Sequence, residues 1–117
     1  RWPSDLHPVG ILRAVADRLR KNIRTVDILG RYGGEEFAIL LPESNLPAAH
    51  QTAERLCRCI GDAPMQTEQG GIVVTISVGV ASANASTTNL DILLNHADDA
   101  MYAAKQAGRN QVAVSEV

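Results

Sequence analysis

Apolar residues recur at intervals of three and four along three stretches of the 117-residue chain, which is the spacing of an amphipathic helix. The first predicted helix covers residues 8–22. The second starts near Pro47, with Ser44 or Asn45 as its N-cap, and the third starts after Asn89 and ends at Gly108. The apolar faces consist of Leu12, Val15, Ala16, Leu19 and Ile23 in the first helix, Leu46, Ala49, Ala53, Leu56 and Ile60 in the second, and Leu90, Leu93, Leu94, Ala97, Met101 and Ala104 in the third.

Shorter apolar runs between the helices predict strands over residues 27–32, 36–41, 65–68, 72–81 and 111–114. Paired glycines separate the first two strands and the next two, which indicates two hairpins. Within residues 72–81, apolar side chains alternate with small ones, as in a strand with one buried face. The element order αββαββαβ predicts an α/β domain of the α+β kind, in which helices flank a mixed sheet.

Composition narrows the class of protein. A chain of 117 residues with 45% hydrophobic and 21% charged residues is the size and make-up of one globular domain. The net charge of −2 offers no basic footprint for duplex nucleic acid. No apolar run approaches the ~18 residues of a membrane span, and no signal peptide is recognisable, so we expect a cytoplasmic domain. Cys57 and Cys59 lie two apart on a predicted helix, too poorly oriented to bridge, and are expected to be free thiols.

The stretch RYGGEEF, residues 31–37, places two glycines directly before two carboxylates. A two-glycine turn allows positive φ angles and a close approach of the backbone to a ligand. Adjacent carboxylates are hard oxygen ligands of the kind that Mg²⁺ takes together with substrate phosphates. A plain hairpin with solvent-facing glutamates accounts for the same residues, and the stretch alone does not decide between the two interpretations.

Three segments of the chain resemble the GGDEF family of diguanylate cyclases. RYGGEEF is similar to the GGEEF form of the family signature, TISVGVAS (residues 75–82) to a later strand, and residues 96–112 to the closing helix with its K-x-x-x-G-R-N segment. The resemblance implies a palm-like nucleotidyl cyclase fold with a mainly antiparallel sheet. It also implies that two GTP molecules are condensed into cyclic di-GMP, with release of two pyrophosphates, by a homodimer.

The resemblance also implies roles for individual residues. Glu35 and Glu36 would bind Mg²⁺ or Mn²⁺, and Glu36 would in addition activate the ribose 3′-hydroxyl. The residues that would bind or approach the phosphates of GTP are Gly33, Gly34, Lys105 and Arg109. Lys105 and Arg109 also fit a simpler interpretation, in which cations near the end of a helix offset its macrodipole.

Arg24 and Asp27 form an R-x-x-D pattern that is separated from Gly33 by five residues. The pattern resembles the family's product-inhibition site, where an arginine pairs with guanine O6 and N7 and a carboxylate accepts from N1 and N2. An ordinary surface pair is the alternative. Neither side chain has an evident core role, so we expect Arg24→Ala to leave fold stability nearly unchanged.

The amino-terminal end departs from the family pattern. The family opens with a strand that carries an aspartate, followed by an N-D-x-x-G-H-x-x-G-D stretch; His7 and Gly10 fit this stretch, but Trp2 stands in place of its asparagine. We therefore expect one GGDEF domain, residues 1–117, that is incomplete at its amino-terminal end. Its parent protein would carry an upstream sensory or regulatory domain, with or without a membrane anchor. Two functions remain open, a diguanylate cyclase or a degenerate domain that senses cyclic di-GMP or GTP without turnover.

Overall fold

The structure is a computed structural model, and it describes residues 8–67, 70–85, 87 and 89–117. Trp2 and His7, which bear on the family pattern, lie outside these ranges. The described residues form, in chain order, α1 (Pro8–Arg20), β1 (Ile28–Gly33), β2 (Glu36–Leu40), α2 (Leu46–Gly61), β3 (Met65–Thr67), β4 (Gly70–Ile72), β5 (Val78–Val80), α3 (Leu90–Gln106) and β6 (Val112–Val114). Within these ranges, no helix is long and apolar enough to cross a membrane.

The strands pair in three two-stranded ladders. β1 and β2 are antiparallel, with Ile28 opposite Leu40 and Gly33 opposite Glu36. β3 and β4 form a second antiparallel hairpin, whereas β5 and β6 run parallel. The predicted α+β class with a mixed, mainly antiparallel pairing and flanking helices is therefore confirmed.

The prediction of one long strand over residues 72–81 was wrong. The structure divides it into β4, which ends at Ile72, and β5, which begins at Val78. β3 is only three residues long, so its pairing ends at Ile72, and residues 73–77 have no strand beside them in the described part of the chain. Their side chains still alternate, since Val74 and Ile76 pack against the core while Val73 is 68% exposed.

The predicted apolar faces of the helices supply most of the core. One cluster joins α1, α2 and β3, and a second joins α2 to the β5–β6 ladder. Each fully buried aliphatic side chain contributes roughly 1.5–3 kcal/mol. The buried members are Val15, Leu19, Leu56, Ile60 and Met65 in the first cluster, and Ala49, Ala53 and Val80 in the second.

Side-chain caps define where the helices begin and how they meet. The side chain of Asn45 accepts a hydrogen bond from Ala48 N at 2.9 Å, and that of Asn89 accepts one from Ile92 N at 3.0 Å. These contacts confirm Asn45, rather than Ser44, as the cap of α2. The guanidinium of Arg18 donates to four carbonyls at and just beyond the end of α2, including that of Ile60 at 3.3 Å. This contact fixes α1 against the carboxyl end of α2.

Both cysteines are free, as expected from their spacing. Cys57, on α2, is buried, with its Sγ 3.6 Å from the carbonyl oxygen of Ile76. Burial raises the pKa of the Cys57 thiol. The side chain therefore behaves as a small apolar group of the core.

α3 lies on β5 with its backbone in direct contact at Gly79. A Cβ at this position would be 1.9 Å from the carbonyl oxygen of Ala97 and 2.3 Å from the amide nitrogen of Met101. Any side chain at Gly79 would therefore have to push the helix away from the strand. Because Lys105 lies one turn beyond Met101, this contact also sets the position of the carboxyl end of α3.

We predict that Gly79→Ala lowers the free energy of unfolding by at least ~1–3 kcal/mol, since backbone atoms of a packed helix cannot move aside as a side chain can. Gly30→Ala is the matched control, because a Cβ there would meet no atom within 4 Å. Urea unfolding of both variants and the wild type measures the difference. Equal unfolding midpoints for Gly79→Ala and Gly30→Ala would contradict the close contact.

Candidate active site at the signature turn

The turn between β1 and β2, residues 33–36, is a two-residue hairpin loop. Gly33 pairs with Glu36, so Gly34 and Glu35 form the loop. Gly34 has a φ of +51°, in the left-handed region, while Glu35 keeps an ordinary negative φ. Glycine at the first loop position is the requirement of a type II′ turn, which suits the twist of a hairpin. The backbone thus needs a glycine at Gly34 but not at Gly33.

Arg31 closes this turn from the β1 side. Its Nε donates to the carbonyl oxygen of Gly34 at 2.8 Å, and its Nη2 donates to the same oxygen. The pairing register shifts between Arg31 and Gly33, which leaves Tyr32 without a cross-strand partner. The loop is therefore held by a side chain at the point where the ladder is irregular.

The two glutamates of the turn carry unpaired charge. Glu35 is exposed and Glu36 is half-buried at the start of β2. Within the described residues, neither carboxylate takes part in an ion pair or a hydrogen bond. All four of their oxygens are therefore available to an external cation.

A cleft of about 940 Å³ brings residues from distant parts of the chain together. Glu35 and Glu36 line it from the signature turn, and Lys105 and Arg109 line it from the end of α3. β2 and residues 73–77 form much of its apolar wall. Across the described ranges, neither Lys105 nor Arg109 forms an ion pair. One cleft therefore presents the two carboxylates of the turn and two cations, none of them neutralised by a partner within the described residues.

The backbone just after α3, where Arg109 lies, has an unusual conformation. Gly108, Arg109 and Asn110 follow one another with φ angles of +123°, +65° and +48°. For residues with a side chain this conformation costs roughly 1–2 kcal/mol each. Hydrogen bonds from the Gln111 side chain to the carbonyls of Ala107 and Arg109, at 3.1 and 3.0 Å, stabilise it. Non-glycine residues held in this region cluster at functional sites.

The donor chemistry of the turn fits a metal ion that arrives with a nucleotide. Mg²⁺ in phosphoryl-transfer sites uses one or two carboxylates and completes its octahedron with substrate phosphates and water. Glu35 and Glu36 supply two such carboxylates on one cleft. The described residues contain no group of three or more His, Cys, Asp or Glu side chains close enough to hold a metal by themselves. The chain therefore fits a metal shared with phosphates rather than a closed protein cage.

Gly33 and Gly34 border open space. A Cβ on either residue would have no atom within 4 Å. No part of the described chain fills the volume beside the turn, so their suggested role of admitting phosphates stays a prediction.

Arg24 and Asp27 pair with each other. The Asp27 carboxylate accepts from Arg24 Nε at 3.0 Å, from Arg24 Nη2 at 2.7 Å and from the Arg24 backbone amide at 2.7 Å. Arg24 Nη2 also donates to the Pro42 carbonyl at 2.9 Å and to Ser44 Oγ at 3.2 Å. The expectation that neither side chain has a core role is therefore wrong for Asp27, whose side chain is covered. The expected stability of Arg24→Ala stays a prediction. The pair joins the α1–β1 connection to the β2–α2 connection.

The two members of this pair differ sharply in exposure. The Asp27 side chain is 2% exposed, whereas that of Arg24 is 52% exposed. Hydrogen bonds from Arg24 lower the pKa of Asp27, and the pKa of Arg24 is raised in turn. Asp27 is thus a carboxylate already committed to Arg24, and only Arg24 has a face free for a ligand.

Two residues at this site were not predicted from the sequence. Asp98 lines the same cleft from α3, and its seven-residue spacing from Lys105, two helical turns, would have placed both on one face. The contact of Arg31 with Gly34 could not be predicted from the sequence. The spacing of the two residues in a hairpin does not specify the rotamer of a long side chain.

Comparison with known proteins agrees with the fold and the turn. The family model of the diguanylate cyclase GGDEF domain matches residues 8–111. The response regulator PleD of Caulobacter vibrioides is 38% identical over 110 residues, which are 91% of this chain and 24% of PleD. The diguanylate cyclase DgcP of Pseudomonas aeruginosa is 35% identical over 105 residues, 90% of this chain and 16% of DgcP. The chain therefore spans about a quarter or less of these relatives.

Solved structures show the same architecture. The GGDEF domain of TpbB from Pseudomonas aeruginosa has a TM-score of 0.83 at 32% identity, covering 94% of this chain and 66% of that one. The active GGEEF domain of a diguanylate cyclase from Vibrio cholerae has a TM-score of 0.82 at 27% identity, covering 93% and 69%. The GGDEF domain of DgcB from Caulobacter crescentus, in complex with cyclic di-GMP, has a TM-score of 0.83 at 27% identity, covering 95% and 67%. With a family match over most of its length and the signature on a tight β1–β2 turn, this chain belongs to the GGDEF family.

Proposed function

We propose that this chain is the nucleotide-condensing domain of a diguanylate cyclase, which joins two GTP molecules into cyclic di-GMP and releases two pyrophosphates. The observation that carries the proposal is the cleft in which Glu35 and Glu36 face the same space as Lys105 and Arg109. Carboxylates for a metal and cations for phosphates are the two kinds of group that a metal–nucleotide complex requires. Membership of the GGDEF family supports the same reaction.

The reaction assigns a task to each group. A ribose 3′-hydroxyl attacks an α-phosphorus, and pyrophosphate leaves. Glu35 and Glu36 would hold Mg²⁺ or Mn²⁺, which when bound offsets the charge on the attacking and leaving oxygens. Glu36, half-buried at the start of β2, would also take the proton of the 3′-hydroxyl. Lys105 would bind phosphate as a point charge and Arg109 as a planar fork.

Condensation of two GTP molecules into a symmetric product requires two such clefts. Each chain presents the two carboxylates of the signature turn and the two cations Lys105 and Arg109 on its cleft. We therefore propose that two domains meet as a homodimer, each with one GTP, so that each 3′-hydroxyl faces the α-phosphorus held by the other domain. Gly33 and Gly34 leave space beside the turn for phosphates to approach.

The cleft also supports the view that the active form includes more chain. β2 is paired only on its β1 side, and residues 73–77 lack a neighbouring strand among residues 8–67, 70–85, 87 and 89–117. A further strand between them would join the ladders and occupy the apolar part of the cleft, leaving the part lined by Glu35, Glu36, Lys105 and Arg109 to the nucleotide. We propose that the parent protein supplies this strand, the residues that hold guanine, and an upstream sensory or regulatory domain that sets the activity. Activity should therefore be measured on the full-length polypeptide.

A second candidate function is a sensor that binds cyclic di-GMP or GTP without turnover. The feature that favours it is Arg24, whose guanidinium is held by Asp27 yet remains half exposed. An arginine held in this way can pair with guanine O6 and N7. The Asp27 side chain is 2% exposed, which argues against direct contact of its carboxylate with guanine, so we propose that Asp27 supports Arg24 in a site for cyclic di-GMP. This site would serve the sensor, and in an active cyclase it would inhibit the enzyme through its product.

We predict that Glu36→Gln in the full-length protein reduces formation of cyclic di-GMP by orders of magnitude, because the amide keeps the shape but lacks the charge that a metal requires. The measurement is product formation from GTP with Mg²⁺ or Mn²⁺, followed by chromatography. Glu116→Gln, which changes an exposed carboxylate near the carboxyl terminus, is the control. Normal turnover by Glu36→Gln would contradict the role proposed for Glu36, and wild-type binding without turnover would favour the sensor.

We predict that Arg24→Ala weakens binding of cyclic di-GMP roughly ten- to a hundredfold, the effect of losing one good bidentate contact to guanine. Affinity for GTP should stay within about twofold, since Lys105 and Arg109 are separate from this site. Calorimetric titration checks both affinities at a temperature where circular dichroism shows the variant folded. Arg13→Ala, an exposed arginine on α1, is the control. Unchanged affinity for cyclic di-GMP in Arg24→Ala would remove the product site from this position.

We predict that Asp27→Asn destabilises the fold at pH 7 and that this difference disappears in acid. The pKa of Asp27 is lowered in the folded chain, so the pair contributes stability above the ordinary aspartate pKa of ~3.9 and loses it as the pH falls through the lower folded value. Urea midpoints of wild type and variant across this range measure the effect. Asp17→Asn is the control, because its pair with Arg20 is exposed. A difference that is independent of pH would show that the charge of Asp27 does not matter.

A further inference from the structure

We propose that Arg31 is a positioning residue, which fixes the Gly34 peptide and thereby the direction in which Glu35 and Glu36 enter the cleft. Arg31 Nε donates to the Gly34 carbonyl oxygen at 2.8 Å, and Nη2 donates to the same oxygen. The inference rests on the proposed function, because it concerns how that site is held in place.

The peptide geometry explains how a contact at Gly34 reaches the carboxylates. The Gly34 carbonyl and the Glu35 amide belong to one planar peptide unit. Two donors on the Gly34 oxygen therefore fix the orientation of the peptide that leads into Glu35. Glu36 is the next residue, so its position depends on the same peptide. A rotation of this peptide would turn both carboxylates away from their present direction.

Little else restrains this part of the turn. A Cβ at Gly33 or Gly34 would have no atom within 4 Å, so no packing supports the loop there. The ladder is irregular at Tyr32, which is 49% exposed. Consecutive glycines have the greatest conformational freedom to lose when they become ordered. The guanidinium of Arg31 is thus the side chain that holds the loop within the described part of the chain.

Arg31 differs from the cations proposed to bind phosphate. Lys105 and Arg109 line the cleft, whereas Arg31 is not among the residues that line it. Arg31 also forms no ion pair with Glu35 or Glu36, so it leaves their charge available to a metal. Its Nε and Nη2 donate to a carbonyl oxygen of the turn, so they hold the backbone and are not free to bind substrate.

Replacement of Arg31 in the full-length protein tests this role. Arg31→Ala removes the contact, and Arg31→Lys keeps the charge but loses the two-donor fork. For both we expect kcat for cyclic di-GMP formation to fall roughly ten- to a hundredfold, as misplaced groups do, with KM for GTP changed less than about threefold. The Mn²⁺ concentration for half-maximal activity should rise. Lys21→Ala, an exposed cation on the same connection as Arg24, is the control.

A readout without turnover completes the test. In ¹⁵N relaxation measurements, the order parameters of the Gly34 and Glu35 amides should fall in Arg31→Ala relative to wild type, with the unfolding midpoint nearly unchanged. Unaltered order parameters, or a raised KM with normal kcat, would overturn the inference, the latter by making Arg31 a phosphate ligand. A wild-type protein that does not cyclise GTP would refute the proposed function alone, because the relaxation measurement still decides the role of Arg31.

Discussion

The absence of a side chain at Gly79 is the constraint on which the candidate site depends. α3 rests directly on β5 there, with Ala97 and Met101 backbone atoms in the space that a Cβ would fill. A helix displaced by even one side-chain layer would carry Lys105 away from the cleft that it shares with the signature turn. The close contact of helix and strand backbones is therefore a condition for bringing cations and carboxylates together.

The site is a set of charges without partners. In the ranges that the structure describes, Glu35 and Glu36 form no ion pair, and neither do Lys105 and Arg109. Because all four lie on an open cleft, water solvates them in the absence of ligand and no large desolvation cost arises. A metal–nucleotide complex would bring a cation to the carboxylates and phosphates to Lys105 and Arg109. By contrast, the Asp27 side chain is 2% exposed and already paired with Arg24, which marks this pair as part of the framework that joins two connections.

Much of this arrangement was predictable from local pattern. The helix periods, the Asn45 and Asn89 caps and the glycine turn depend on neighbouring residues, so the sequence contains the necessary information. The family resemblance implied roles for Glu35, Glu36, Lys105 and Arg109, and all four line the cleft.

The remaining features depend on tertiary contacts. The break of residues 72–81 into two strands depends on the length of β3, since alternation predicts which way side chains point but not which strand pairs with them. The burial of Asp27 depends on Arg24 reaching Pro42 and Ser44 in another connection. Likewise, the role of Arg31 depends on a rotamer that closes back on Gly34.

We propose that one cleft, lined by Glu36, Lys105 and Arg109, binds a metal–nucleotide complex. A crystal structure of the full-length protein with Mn²⁺ and a non-hydrolysable GTP analogue tests it most directly. The account predicts an anomalous Mn²⁺ peak about 2.1 Å from a carboxylate oxygen of Glu36, with phosphate oxygens within hydrogen-bond distance of Lys105 and Arg109. Nucleotide bound elsewhere, or a metal without contact to Glu35 or Glu36, would contradict it.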